Sequence, residues 1–468
     1  MSHLVQHVEV RSAYADSVAL LQVSRTVAAL PGVTAAQVAM ATPLNLEVLT
    51  EMGFELPHAG PNDMVVALRL ADPDPATLAA AVAGVDAALL ALRTTRPAAA
   101  GQAAPPRTTA TALREAHPGD PVLVSVPGAS AVVEAADAIA AGHDVMIFSD
   151  NVSLEHEVAL KRAAAERGLL VMGPDCGTAL LDGVGLGFAN VTRPGRVGIV
   201  AASGTGCQQL LALLNHAGVG VSWALGVGGR DLGSAVGGLA TREALRRLDA
   251  DPRVDRVVLV SKPPDDDVAS ALASYVDTLG TPVTTALLGP GRPDLTAVAE
   301  QVLADLGVAV PTWPVAGQVL RETRGELLRG LFVGGTLAQE AQLLARAAGA
   351  PHEVVDYGDD ALTQGRAHPM IDPALRLEQL AHALDHPRTG VVLLDVVLGH
   401  GAEPDPASAL VRVLAGAARP VVVTLVGTLA DPQDLLAQRA ALAEVAEVHL
   451  SNAGATRRAL SLLTGGAR

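Results

Sequence analysis

The chain has 468 residues, half of them hydrophobic and only 2% aromatic, with 33 Lys and Arg against 49 Asp and Glu for a formal charge of −16. That length exceeds what one core holds and predicts roughly three or four domains. An acidic balance with no Lys/Arg-rich run and few rings for base stacking excludes nucleic acid as a partner, and no apolar run approaches the roughly 18 residues that a membrane span needs. The two cysteines, Cys176 and Cys207, have no CxxC partner. That pattern predicts neither a zinc site nor a disulfide framework, and no metal is expected. The opening MSHLVQHVEVRSAYADS lacks the features of a signal peptide, so a cytoplasmic protein is expected. An acidic surface is compatible with a small anionic substrate held at a locally positive site.

Residues 1–93 alternate strand and helix. A strand near HVEVRS precedes a helix around Asp16–Leu30, a strand in VTAAQVAMA, a helix near Leu44–Met52, a strand in DMVVALRLA and a helix from Pro75 to Leu92. This predicts a small N-terminal α/β domain. Residues 94–118, which open TTRPAAAGQAAPPRTTAT, are rich in Ala, Pro, Gly and Thr without periodicity and read as a linker. Over 119–193 the order is strand (VLVSV), helix, strand (DVMIFS), helix and strand (LLVMG), the pattern of a parallel sheet in a Rossmann-type half domain. It ends in GPDCGTAL. Gly173, Pro174, Asp175 and Cys176 therefore form either a plain turn or a ligand loop at a strand's C-terminal end.

The rest of the chain is duplicated. GRVGIVAASGTGCQQLLALLNHAG resembles RGLFVGGTLAQEAQLLARAAG, with Thr205 on Thr336 and Gly218 on Gly349. REALRRLDADPRVDRVVLVS resembles LEQLAHALDHPRTGVVLLDV, and TPVTTALLG resembles RPVVVTLVG. Three blocks in one order predict two copies of one doubly wound, flavodoxin-like α/β domain, over 194–322 and 323–468.

Duplicated sheets place equivalent loops at equivalent strand ends. In the first copy these are Ser203, Gly204, Thr205 and Gly206; the GVGGRDLG loop with Gly228 and Gly229; Ser261–Pro264 with Lys262; and Gly289–Gly291. In the second they are Gly334, Gly335 and Thr336; Gly365–Pro369 with His368; Gly399–Asp405 with His400, Gly401 and Ala402; and Gly427 and Thr428. Glycine lets backbone amides approach an oxyanion, and helix starts favour negative charge. For Ser203–Gly206 a simple N-cap turn is the alternative to an anion site. Lys262 is a candidate anion contact, followed by Pro-Pro that fixes the backbone, and His400 a candidate proton-transfer group or phosphate ligand. Cys176 is either a small buried residue or a nucleophile. His156 and His216 fall on helices and read as ordinary packing or surface residues, and Asp265–Asp267 as a solvated helix start.

Gly173-Pro174-Asp175-Cys176, then GRVGIVAASGT and GVGG, resemble the alpha subunit of succinyl-CoA synthetase. Residues 332–466, with VDYGDD, DVVLGHGAEPD and VVVTLVGT, resemble the C-terminal domain of its beta subunit. Over nearly the whole chain the order of parts resembles the FdrA family. The resemblance implies an α/β fold: a small N-terminal unit, a CoA-binding-like Rossmann-type domain and two succinyl-CoA-synthetase-type ligase domains. It implies a phosphate between two helix N-termini, with matching loops at Ser203–Gly206 and Gly399–Ala402. Where the synthetase carries its phosphohistidine, this chain reads LLGPGRPDLTAVAE without histidine, and where it has a supporting glutamate this chain has Ser261-Lys262-Pro263. A cation there suits an anion. FdrA-type proteins are implied to work with two further, unrelated subunits in oxamate carbamoyltransferase, which moves a carbamoyl group from oxalurate to phosphate in allantoin breakdown. Phosphate or carbamoyl phosphate is then the implied ligand. An acyl-CoA synthetase with its phosphate on another residue, such as His400, and with CoA or nucleotide bound, is one alternative. A scaffold or regulatory subunit is the other.

Overall fold

The structure, a computed structural model, describes residues 5–13, 15, 17–60, 63–71, 74–94, 106, 108–319, 323, 325–363 and 367–465. They belong to two compact units, 1–105 and 106–468.

The first unit runs β1 (Val5–Arg11), α1 (Ser17–Ala28), β2 (Val33–Met40), α2 (Pro43–Glu51), β3 (Met64–Leu70) and α3 (Pro75–Thr94). Its sheet has the order β1-β3-β2 and is antiparallel throughout. Side chains alternate across a strand, so central β3 feeds two layers. Val66 and Leu68 pack with Leu20, Val23 and Val85 from the helices. Val65 and Ala67 pack with Leu49 and Phe54 on the other face. Of the expected linker, residues 95–105 and 107 lie outside the described residues, and Thr109–Ala112 form a short helix rather than unpatterned chain.

The second unit opens with α4 (Thr109–Ala112), β4 (Val122–Val124), α5 (Gly128–Ala140), β5 (Val145–Ile147), α6 (Leu154–Ala165) and β6 (Val171–Met172). Strands β4-β5-β6 form a parallel sheet. A hairpin follows, β7 (Thr178–Leu181) and β8 (Val184–Gly187). Its strand β7 pairs antiparallel with a strand of the next sheet, so the segment after GPDC extends the first ligase-type sheet.

That sheet is built from β9 (Val197–Ala202), α7 (Gly204–His216), β10 (Val221–Gly226), α8 (Leu239–Ala250), β11 (Arg256–Ser261), α9 (Asp266–Val276), β12 (Val283–Leu287) and α10 (Leu295–Asp305), in the order β12-β11-β9-β10-β7-β8. After a short β13 (Val315–Ala316) the pattern repeats. The elements are β14 (Leu327–Phe332), α11 (Gly335–Ala347), β15 (His352–Asp356), α12 (Asp360–Thr363), α13 (Ala374–Asp385), β16 (Thr389–Val397), α14 (Pro406–Leu414), β17 (Val421–Val426), α15 (Leu435–Ala443), β18 (Glu447–His449) and α16 (Asn452–Gly465). The second order is β13-β18-β17-β16-β14-β15. Numbered within each copy, both sheets run fourth-third-first-second, and the second adds a fifth strand, which completes the flavodoxin-like order. No helix among the described residues is long and apolar enough to cross a membrane.

One core joins the two copies. Leu210, Leu211, Leu213 and Leu214 of α7 share it with Leu337, Ala338 and Ala341 of α11. A helix buried all round must satisfy its polar side chains internally. Gln208 donates to Leu398 O, and Gln209 donates to Leu450 O and accepts from Asn452 N, each across to the second copy.

Candidate functional site

Strand β9, all apolar, and strand β14, apolar but for Arg329, end at the switch point of their sheets, where neighbouring crossovers leave in opposite directions. Each runs into a helix. Ser203 is extended (φ −167°, ψ 115°) and its hydroxyl accepts from the Gly206 amide at 2.9 Å, capping α7. At the equivalent place Gly334 has no side chain to cap α11. Its amide and that of Val333 donate instead to the Asp395 carboxylate at 2.9 and 2.7 Å. The two turns meet. Ser203 Oγ lies 2.6 Å from Thr336 Oγ1, both residues buried. A methyl group on Gly334 would lie 2.8 Å from Thr205 Oγ1. Ser203 and Gly334 are equivalent in the repeat, as are Thr205 and Thr336, so these are one contact seen from both sides of a pseudo-two-fold.

Lys262, at the end of β11, crosses to the second copy. A methyl group on Gly335 would meet Lys262 Nζ at 2.8 Å, and Asp356 Oδ2 closer still. The ammonium and a carboxylate therefore flank the first residue of α11. Ser203 uses its hydroxyl on Gly206, which leaves the first amides of α7 uncapped by it. Two positive helix ends, two hydroxyls and a half-buried lysine converge on one seam.

The support beneath α11 is ionic. Asp395 is fully buried, and burial pushes its carboxyl up to about 6 although the Arg376 guanidinium, 3.1 Å away, opposes the shift. Burial lowers Arg376 in turn. His368 packs with its ring centroid 5.6 Å from that of Phe188, and burial, with Arg376 nearby, holds it down to about 4, so it is neutral at pH 7. Its Nδ1 accepts from the Met370 amide. Gly365 and Arg366 of the same loop lie outside the described residues.

The GPDC and GVGG loops are brought together. Gly228 has φ +87°, and a methyl group on it would lie 2.6 Å from Pro174 O and 3.0 Å from Gly173 Cα. Cys176 is buried, and burial with the neighbouring Asp175 pushes its thiol up to about 12, so it is held as a thiol and packs. Asp175 and Gly229 are exposed. Cys207 is buried in the core, and its thiol is raised too.

The loop Gly399–Ala402 does not meet Ser203. The His400 amide donates to Ala189 O at 2.8 Å, the Gly399 amide donates to Gln433 Oε1, and Gly401 lies against Gly187 and Phe188. Left-handed φ at Gly399 and Gly401 lets the loop lie flat on that segment. Gly427 packs on Leu398, and the Thr428 hydroxyl donates to Val191 O. Loops 398–401 and 427–431 thus clamp residues 187–191, with Asn190 donating to Leu398 O and Asp431. The expected pairing of Ser203–Gly206 with Gly399–Ala402 is corrected: the partner of the first turn is Gly334–Thr336. His400 is exposed on the clamp.

Asp356 and Asp395 escaped the sequence reading. The signal was present for Asp395, the one charge in the apolar strand TGVVLLDVV. An ionisable group in a strand buried on both faces must have partners.

Residues 1–106 match the family described as AllF, heavy metal-associated domain, and residues 331–462 match CoA-ligase. YahF of Escherichia coli K12 is 33% identical over 453 residues, covering 86% of this chain and 85% of YahF. The chain belongs to the FdrA family. It is CoA-ligase-like, of the succinyl-CoA synthetase alpha type. The alpha subunit of an ADP-forming succinate–CoA ligase from Methanothermobacter thermautotrophicus is 30% identical over 152 residues, 32% of this chain and half the length of that subunit. Among solved structures, a dinucleotide-forming acetyl-coenzyme A synthetase from Ca. Korarchaeum cryptofilum, in complex with phosphate and ADP, is similar at 15% identity and a TM-score of 0.31, over 80% of this chain and 89% of that one. Both cysteines lie outside residues 1–106, and no group of three or more His, Cys, Asp or Glu among the described residues is placed to hold an ion.

Proposed function

We propose that this FdrA-family protein seats phosphate or carbamoyl phosphate at the seam between α7 and α11 and serves as a subunit of an oxamate carbamoyltransferase-like assembly. The observation that carries the reading is the 2.6 Å approach of Ser203 and Thr336 at two helix starts, with Lys262 beside the second. A phosphate oxygen attacks the carbamoyl carbon of oxalurate. The bond from that carbon to the oxamate nitrogen breaks, and the proton lost by phosphate ends on that nitrogen. Oxamate and carbamoyl phosphate are the products. Lys262 and the amide ends of both helices hold the phosphate and offset charge on the developing oxyanion, which is a positioning and electrostatic role.

The absence of histidine in LLGPGRPDLTAVAE favours direct phosphorolysis over a phosphohistidine relay. The test is release of carbamoyl phosphate from oxalurate and phosphate by the chain reconstituted with its two partner subunits. Gly335→Val in the seam is expected to abolish release. Full activity in that variant overturns the reading. The likeness to succinate–CoA ligase alpha subunits favours a second reading, acyl-CoA ligation. Stoichiometric acid-labile phosphoprotein after incubation with ATP, together with CoA-dependent ADP release, establishes that one instead.

A further inference from the structure

A cavity of about 550 Å³ lies at the C-terminal ends of β17 and β18, where the end of α7 crosses them. This volume is in the range of small-molecule sites. Its apolar wall includes Leu425, Leu435, Val448 and Leu450, with Ala212 of α7 and Pro314 closing it. Leu429 and Leu436, also in the lining, are 72% and 50% exposed. Every ionisable residue in the lining is basic: Arg193, His216, Arg439 and His449. In a chain of charge −16, a cavity lined by no acid is a departure that points to the charge of its ligand.

The basic groups are not equally committed. His449 Nε2 is 2.9 Å from Glu447, which lies outside the lining and also accepts from Arg458. Arg193 donates through Nε to Asn215 Oδ1. Arg439 is half-buried and makes no hydrogen bond or salt bridge to a described residue. Burial lowers the His216 imidazole, and the nearby Arg439 charge opposes its protonation further. A half-buried guanidinium beside an imidazole and an apolar wall, with no carboxylate on it among the described residues, is open to an anionic partner.

We infer that this cavity is a binding site for a small amphipathic carboxylate, its head on Arg439 and Arg193 and its hydrocarbon against Leu425, Leu435 and Leu450. The site is distinct from the Ser203–Thr336 seam. Helix α7 separates the two, and from Gly204 to His216 it spans roughly 18 Å at 1.5 Å per residue. The inference therefore does not depend on the carbamoyl-transfer reading.

The experiment is calorimetric titration of the full chain with octanoate, and with octylamine and acetate as controls. Octanoate is expected to bind one per chain with a submillimolar Kd, and the controls at least tenfold more weakly. Arg439→Glu and Arg193→Glu are each expected to raise the octanoate Kd tenfold or more with the circular dichroism spectrum unchanged. Gly335→Val is expected to leave it within twofold. Octylamine binding as tightly as octanoate, no saturable octanoate binding, or an unchanged Kd in both arginine variants overturns the proposal. So does a partner subunit lost on Leu429→Asp without any octanoate site, which makes the cavity a protein-docking surface.

Discussion

The hydroxyls of Ser203 and Thr336, 133 residues apart in sequence, lie 2.6 Å from each other at the heads of α7 and α11. Ser203 also caps α7 through Gly206. Ser203→Ala thus removes a cap, about 1 kcal/mol, and leaves a buried threonine hydroxyl without its partner, about 1–3 kcal/mol. Thr336→Val removes only the second interaction. The double variant is expected to be less destabilised than the sum of the singles, with a coupling of about 1 kcal/mol. Urea unfolding of the four proteins, followed by a probe within residues 106–468, measures it. Strict additivity removes the energetic link between the two turns.

The repeat that produces this contact is legible in the sequence because both copies keep the same strand, turn and helix spacing from β9 to α7 and from β14 to α11. Which turn meets which is not. A loop rich in glycine, such as GHGAEPD, has the composition of an anion cradle, yet its glycines serve the close approach of Gly399 and Gly401 to residues 187–190. Pairing between sheets depends on how two copies stack, and that is written in the buried faces of α7 and α11 together. The hairpin β7–β8 escaped for a different reason. Four-residue strands with two glycines carry almost no alternation, and their place is fixed by the pairing of Leu180 with Ala224.

Lys161 holds α6 to the first ligase-type sheet. It is fully buried, and its ammonium donates to Glu157, Asp231 and Val227 O, each at 2.8 Å. Asp231 also accepts from the amide and hydroxyl of Thr241, and Arg230 pairs with the other oxygen of Glu157. Lys161→Met leaves two buried carboxylates short of a cation and is expected to destabilise the fold by about 3–5 kcal/mol. Pairing it with Glu157→Leu is expected to recover part of the loss. Thermal unfolding of the two variants checks this, and equal midpoints for parent and Lys161→Met refute it.

Glu340 on α11 is a pH-dependent liability. Burial raises its carboxyl from 4.5 to about 7, even though it accepts from the Leu295 amide and from Asn452. The native state therefore binds more protons than the unfolded chain between these values. Stability falls as pH rises through that window, and the loss is complete above 7. Glu340→Gln does not titrate. Relative to the parent, the variant is expected to gain stability between pH 5 and pH 8, by a few kcal/mol at most. Denaturant midpoints at the two pH values measure the change. A constant difference would mean that Glu340 keeps an ordinary carboxylate range.

Lys262 and His400 make opposite predictions for phosphate. Lys262 reaches the start of α11, and a methyl group on Gly335 would occupy the space beside its ammonium. His400 is exposed on a loop whose amide is spent on Ala189 O. Lys262→Met is expected to raise the Kd for inorganic phosphate about tenfold or more, because removing the cation from a partly desolvated anion leaves that anion with dipoles alone. Thermal stability should change little, since the lysine is only half-buried. His400→Gln is expected to leave the phosphate Kd within twofold. Phosphorus NMR titrations of the three proteins distinguish the outcomes. A reversed ranking, with His400 dominant, moves the anion from the α7–α11 seam to the clamp over residues 187–190 and returns histidine to the reaction.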